Sequence, residues 1–254
     1  MLITTERSDG VAVIKINRPE VRNALNLEAL AALRETLERV GRDREVRCAV
    51  LAGEGGTFTT GDDLTETARL DDAGIRTLID GFQALTVALR AMEQPVIAAI
   101  EGYAVGGALE MAAACDLRVC DAETRFFCPE VGLGLLLSNG SSAVLPRLIG
   151  AGRTRELMLT GRRFDAAWAE RVGLVNRVFA RGQALNGALE MAREVAAGQP
   201  AAVRMTKRLL NAAEDSEVAK ALELEVEMTL ENYSDPAVMA GMRAQLERWA
   251  ARKR

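Results

Sequence analysis

The chain has 254 residues, 49% hydrophobic and 27% charged, with a formal net charge of −4 and a pI of about 5.2. That is ordinary globular composition with material for a sizeable core, and it offers no basic excess to draw nucleic acid. Histidine is absent. This excludes Ser-His-Asp and Cys-His triads and histidine-ligated metals, and leaves acid–base work near neutral pH to Glu, Asp, Tyr, Lys or Cys.

No stretch approaches the ~18 unbroken apolar residues of a membrane helix. The start, Met1-Leu-Ile-Thr-Thr-Glu-Arg7, lacks the pattern of a signal peptide. The expectation is a cytoplasmic protein without a membrane partner. Cys48, Cys115, Cys120 and Cys128 form no Cys-x-x-Cys pair and no metal-ligand spacing, so reduced thiols and no bound metal are expected.

Val11 to Ile16 is a β-rich run and reads as an early strand, broken at Asn17-Arg-Pro-Glu20. Asn26 then suits the N-cap of a helix reaching about Arg39, with Leu27, Leu30, Leu33, Leu37 and Val40 on one face. Val46 to Ala52 is a second buried strand, ending in the glycine-rich loop Gly53 to Leu64. A phosphate-binding P-loop needs a lysine after its last glycine; Asp62 stands there, and that motif fails. A long helix is expected over about Asp71–Met92.

The next stretch organises the chain. Val96 to Ile100 is an apolar strand, Gly106-Gly107 is a turn that side chains would crowd, and Ala108 to Ala114 is a run of good helix formers. The free N–H groups at such a helix start can face a developing negative charge. Glu110, three residues past Gly107, is the one charge in an otherwise apolar helix.

Leu117 to Cys120 is another short strand. Arg125-Phe-Phe-Cys-Pro-Glu130 is read as a strand ending at a proline, followed by an apolar, glycine-punctuated loop. Ser138-Asn-Gly-Ser-Ser142 opens a helix towards Ile149, and helices are expected over Arg153–Thr160 and Asp165–Val172. Strands stop near Val178. Helical segments follow over about 183–197, 201–213 and 216–233, and a last one starts at Asp235-Pro236. The organisation is a β/α core over residues 1–180 and a helical region over 181–254, with a largely parallel sheet whose loops at strand C-termini carry the site.

Glycine turns after strands raise the dinucleotide question, but Gly102-x-x-x-Gly106-Gly107 and Gly132-x-Gly134 both miss Gly-x-Gly-x-x-Gly. No redox cofactor is expected. Glu110 and Glu130 lie in apolar surroundings where glutamate is uncommon unless paired or functional. On the residues alone each reads first as a partly solvated or salt-bridged side chain, and second as a catalyst.

Five stretches then carry a resemblance. They are Asn17-Arg-Pro-Glu-Val-Arg-Asn-Ala-Leu-Asn26, Phe58-Thr-Thr-Gly-Asp-Asp-Leu64, Pro95 to Glu110 with Ala114-Cys-Asp-Leu117, Phe127-Cys-Pro-Glu-Val-Gly-Leu-Gly134, and Leu145-Pro-Arg-Leu-Ile-Gly150 with Leu159-Thr-Gly161 and Gly173-Leu-Val-Asn176. Together and in this order they resemble the enoyl-CoA hydratase/isomerase (crotonase) family along nearly the whole chain.

The resemblance implies an α/β fold, a spiral of β-β-α units with a helical C-terminal trimerisation region, and a homotrimer or dimer of trimers. It implies an acyl-CoA thioester substrate, with coenzyme A present only as part of that substrate. It places the two backbone donors of an oxyanion hole at Asp62 and Gly107. Glu110 matches the residue that orients and deprotonates water, and Glu130 the acid that protonates the α-carbon. Arg22, Ala24, Thr60, Gly61, Gly106 and Ser138 fall at substrate- or CoA-binding positions.

With both glutamates present, hydration of a 2-enoyl-CoA is the expected reaction. A Δ3,Δ2-enoyl-CoA isomerase or other lyase is the alternative, and a non-catalytic acyl-CoA-binding protein the rival. Departures from the family pattern are Asp62 where a small residue is usual, Ala108 in place of a third glycine, and Leu135-Leu-Leu-Ser-Asn-Gly-Ser-Ser142 in place of a Pro-Gly-Gly-rich run. The Ser138–Ser142 hydroxyls are expected to cap the following helix, and Cys128 to be a packing residue. Arg248 to Arg254 is read as a solvated basic tail.

Overall fold

The computed structural model describes residues 1–212, 222–223, 226–227, 229–230, 233–234 and 236–251. Most of the helical segment expected over 216–233 lies outside the described residues, as do 252–254 of the basic tail.

Among the described residues nine strands form two sheets. The larger has the order β1-β2-β3-β4-β6-β9 and the smaller β5-β7-β8. β1 (Ile3–Ser8) pairs antiparallel with β2 (Val11–Ile16). β1 was not expected, because Thr4 to Ser8 is polar; an edge strand exposed on one side tolerates that pattern. Its tight turn places Asp9 and Gly10 at φ 51° and 75°, the left-handed region that Asp-Gly suits.

From β2 onward the large sheet is parallel, through β3 (Cys48–Gly53), β4 (Val96–Ile100), β6 (Leu117–Asp121) and β9 (Arg177–Phe179). β3 and β4 are apolar at nearly every position because both their faces are covered. Alternate residues point to opposite sides. Ala49, Leu51, Val96, Ala98 and Ile100 share a core with Leu30, Leu33 and Leu37 of α1 (Leu27–Arg42) and Leu85 and Leu89 of α3 (Asp72–Ala91). Cys48, Val50, Ile97, Ala99 and Val119 instead meet Ala188, Met191 and Ala192 of α9 (Ala184–Ala196), so packing continues across residue 180.

Asn26 caps α1 as expected, accepting from the Ala29 amide at 2.9 Å. Between α1 and α3 lies the single turn α2 (Leu64–Thr67). α6 (Ser141–Ile149), α7 (Ala151–Thr160) and α8 (Ala166–Arg171) occur where the sequence places them.

The chain leaves the large sheet at the end of β4 and enters the small one at β5 (Tyr103–Val105), which pairs parallel with β7 (Arg125–Phe127); β7 pairs antiparallel with β8 (Phe164–Asp165). α4 (Gly107–Ala114) follows β5. β4-β5-α4 is thus repeated by β6, β7 and α5 (Glu130–Leu133), each unit giving one strand to each sheet. β5 was unexpected: the 101–107 stretch reads as a plain turn because a three-residue strand has too little length to show a period.

α10 (Pro200–Ala212) is tied to the sheet by Lys207. Its ammonium, 6% exposed, donates to Asp116 Oδ2 at 2.8 Å and to the Leu89 and Gln94 carbonyls at 3.1 Å each. The final helix, Pro236–Ala251, places Val238 and Met242 against Ala68 and Leu135. Val226, Leu230 and Tyr233 pack on Ile75 and Ile79 of α3. Among the described residues no helix is long and apolar enough to cross a membrane.

Arg118 closes the end of α4. It is 4% exposed and faces carbonyls rather than a carboxylate: its guanidinium donates to Cys115 O at 2.6 Å and Leu174 O at 2.8 Å. A cation at a helix C-terminus complements the partial negative charge there. Arg118→Met keeps the stem but leaves those carbonyls without a donor. The expected cost is about 2–3 kcal/mol, read as a lower urea midpoint at unchanged slope.

Candidate active site

The loop 57–63 is held by one buried asparagine. Asn23 Nδ2 donates to Glu54 O at 2.9 Å and Thr57 O at 2.6 Å, and its Oδ1 accepts from the Arg18 amide at 2.8 Å. Thr59 Oγ1 donates to Asn23 O at 2.7 Å and accepts from the Gly61 amide at 3.0 Å. The Leu25 amide donates to Gly61 O at 2.7 Å, and the Asp63 amide to Leu25 O at 3.1 Å. Arg18 and Asp63 add an ion pair at 3.1 Å. Asp62 is thereby fixed between two paired residues, and its own amide donates to no group among the described residues.

Gly61 (φ +77°) lies directly against the start of α4. A Cβ there would sit 2.6 Å from Val105 O and 3.2 Å from the amide nitrogens of Gly107 and Ala108. Gly61 itself is buried behind the cavity wall. The Gly107 amide, first in the helix, also has no acceptor among the described residues. Two unpaired N–H groups from separate loops therefore meet beside one another.

One turn into α4, Glu110 is 2% exposed. Its Oε2 accepts from the amides of Ser138 and Asn139 at 3.2 Å each and from the Ser141 hydroxyl. This corrects the capping expectation for Ser138–Ser142. Gly140 precedes α6 with no side-chain cap; the Ser141 hydroxyl turns to the buried carboxylate, and the Ser138 hydroxyl donates to Asn139 Oδ1 at 3.1 Å. An unpaired charge there would cost more than an uncapped helix end, which water or neighbouring turns can serve.

Glu130 opens α5 rather than trailing a strand into a loop. Its Oε2 is buried without a hydrogen-bond partner among the described residues. Gly106 (φ +53°) makes room for it: a Cβ would fall 2.3 Å from Glu130 Oε1. Burial, reinforced by the nearby Asp62 carboxyl and offset in part by a backbone hydrogen bond, raises the Glu130 pKa to about 7. Asp62 keeps some exposure as a residue, yet its carboxyl is sunk in protein. Burial, with help from Asp63 and Glu66, raises its pKa to about 7 against the lowering effect of Thr67, whose Oγ1 donates to Asp62 Oδ1 at 2.6 Å.

These groups line one cavity of about 560 Å³. Asp62, Gly106, Gly107, Glu110, Glu130 and Ser138 all face it, as do Arg22, Ala24 and Thr60. Two arginines on its wall lie over aromatic rings: Arg22 over Tyr103 at 5.9 Å and Arg163 over Phe127 at 4.8 Å. Sequence reasoning missed Arg163, Asn139, Ser141 and Thr67; the polar run 138–142 was the available signal for two of them. Cys128 is fully buried, and burial holds its thiol well above the ordinary value, which suits packing and not nucleophilic work. The other three cysteines are also free and buried.

The family model for enoyl-CoA hydratase/isomerase matches residues 6–252. A short-chain-enoyl-CoA hydratase of Clostridium acetobutylicum is 33% identical, over 97% of this chain and 95% of that one. A crotonyl-CoA hydratase of Syntrophomonas wolfei is 32% identical over the same shares. The crystal structure of an enoyl-CoA hydratase/isomerase from Pseudoalteromonas atlantica superimposes with a TM-score of 0.88 over 98% of both chains, at 31% identity. The α/β architecture is the crotonase fold, and the chain belongs to the enoyl-CoA hydratase/isomerase family.

Proposed function

We propose that this chain is a hydratase that adds water across the double bond of a 2-enoyl-CoA thioester through an enolate. The observation that carries this reading is a pair of unlike carboxyl groups on one cavity that also presents two unpartnered amides. Glu110 has three donors on one oxygen, an environment made for a carboxylate. Glu130 has an oxygen with none, and a pKa near 7 that keeps it largely protonated below neutrality. Environments that push two carboxyls apart assign base and acid.

In this mechanism the Asp62 and Gly107 amides hold the thioester oxygen. Glu110 takes a proton from water as the water oxygen bonds to C3. The C2–C3 π electrons move to C2, with charge carried on the held oxygen. Glu130 then gives its proton to C2. The product gains one water, and a proton passing from Glu110 to Glu130 through solvent restores the start. Asp62 beside the enolate is less of an obstacle than a full charge would be, since with a pKa of about 7 its carboxyl is about half neutral near pH 7.

Follow crotonyl-CoA by loss of enoyl-thioester absorbance. Glu110→Gln and Glu130→Gln are each expected to lower kcat by about 10²- to 10⁴-fold with the thermal melt retained. Activity surviving Glu110→Gln, with a 3-enoyl-CoA as the better substrate, would point to isomerisation. Binding of acyl-CoA without turnover of any enoyl thioester would leave the binding protein.

The pH profile follows from Glu130. Its working form is the acid, which is full well below pH 7 and is lost as pH rises through about 7, so the hydration rate falls on the alkaline side. Asp62→Asn removes a like charge and should move that limb to lower pH. The displacement is partial, because burial is the larger cause. An unmoved limb in Asp62→Asn, or a rate rising through pH 7 to 8 in the wild type, would contradict the assignment.

A further inference from the structure

Glu130 must regain a proton after each turnover. It meets the cavity through one oxygen only. Oε1 lies against Gly106, in the space that a Cβ there would need, and the same turn carries the Gly107 amide. A thioester held by that amide lies over Oε1. The other oxygen, Oε2, is sealed in protein and has no partner among the described residues.

Asp62 stands beside the same glycine turn. A Cβ on Gly61, the residue before it, would sit 3.2 Å from the Gly107 amide nitrogen. The Asp62 carboxyl is fixed at one end, where Oδ1 accepts from Thr67 at 2.6 Å. Oδ2 has no partner among the described residues and, unlike Glu130 Oε2, stays open to the cavity. The ionisable groups that act on this cluster are Asp63 and Glu66 on the same segment, Glu130 on α5, and Tyr233. All four are acids, and the nearby Arg18 is paired to Asp63. Nothing in that set pins Asp62 as a carboxylate. Asp62 and Glu130 are both raised to about 7, so a proton passing between them changes little in free energy.

We infer that Asp62 is a proton relay acting through Glu130: it hands its proton to Glu130 once C2 has been protonated, and takes a new one from solvent. The Asp62 O–H bond breaks as the Glu130 O–H bond forms. Asp62, left as a carboxylate, is then protonated by hydronium or a buffer acid, while Glu110 releases to solvent the proton it took from water. The count closes with one water added and no proton gained or lost. The relay rests on the hydratase reading above and adds a third carboxyl to it.

The test separates the first turnover, which uses the proton already on Glu130, from the later ones, which need it replaced. Crotonyl-CoA hydration is followed by rapid quench at about pH 6, where Glu130 starts largely protonated. In Asp62→Asn the ratio of the first-turnover rate to the steady-state rate should rise by about tenfold or more over the wild type. Asp62→Ala, which also keeps the backbone amide, should do the same and covers the case of a misfolded Asn variant. Adding imidazole at fixed pH supplies another proton donor and should bring the ratio back towards the wild-type value by speeding the later turnovers alone. Being internal to each variant, the ratio is insensitive to a general loosening of the site, and a merely structural role for Asp62 gives no rescue. A ratio equal to the wild type in both variants overturns the relay, as does a raised ratio that imidazole leaves unmoved. Absence of hydration by the wild type overturns the hydratase reading, and the relay with it.

Discussion

The site depends on the close approach of two loops at Gly61. A methyl group at that position would strike the Val105 carbonyl and crowd the first amides of α4. Without one, the loop after β3 settles onto the helix start, and the amides of Asp62 and Gly107 come side by side. Neither loop makes the pair alone. The Asn23 hydrogen bonds fix one partner and the β5–β7 pairing fixes the other. Two sheets are therefore needed, since β3 delivers the first loop from the large sheet and β5 the second from the small one.

Around that contact the polar groups are distributed unevenly. Glu110 draws two amides and a hydroxyl to a single oxygen, while Glu130 keeps an oxygen with no donor in a space opened by Gly106. The same side-chain type thus sits in opposite environments, set by what is withheld as much as by what is supplied. Asp62 joins the second group. Three ionisable groups, Asp62, Glu130 and Tyr233, share one wall and influence one another's protonation.

Much of this was legible in the sequence. The parallel strands announce themselves as continuous apolar runs, α1 through its leucine face and Asn26 cap, and the α4 turn through Gly106-Gly107 ahead of a charge in an apolar helix. Short elements were not: β5, β8 and α5 are two to four residues long and carry no period. The Glu110 clamp was also hidden. Ser138, Asn139 and Ser141 look like cap residues, and only the fold brings a buried carboxylate within their reach.

The central claim is that the Asp62 and Gly107 amides together polarise a thioester carbonyl. Infrared difference spectra of butyryl-CoA labelled with ¹³C at the thioester carbonyl test it without catalysis. Two donors on that oxygen should lower the carbonyl stretching frequency of the bound ester below its value in water. A bound ester whose carbonyl frequency stays at the aqueous value would contradict the account.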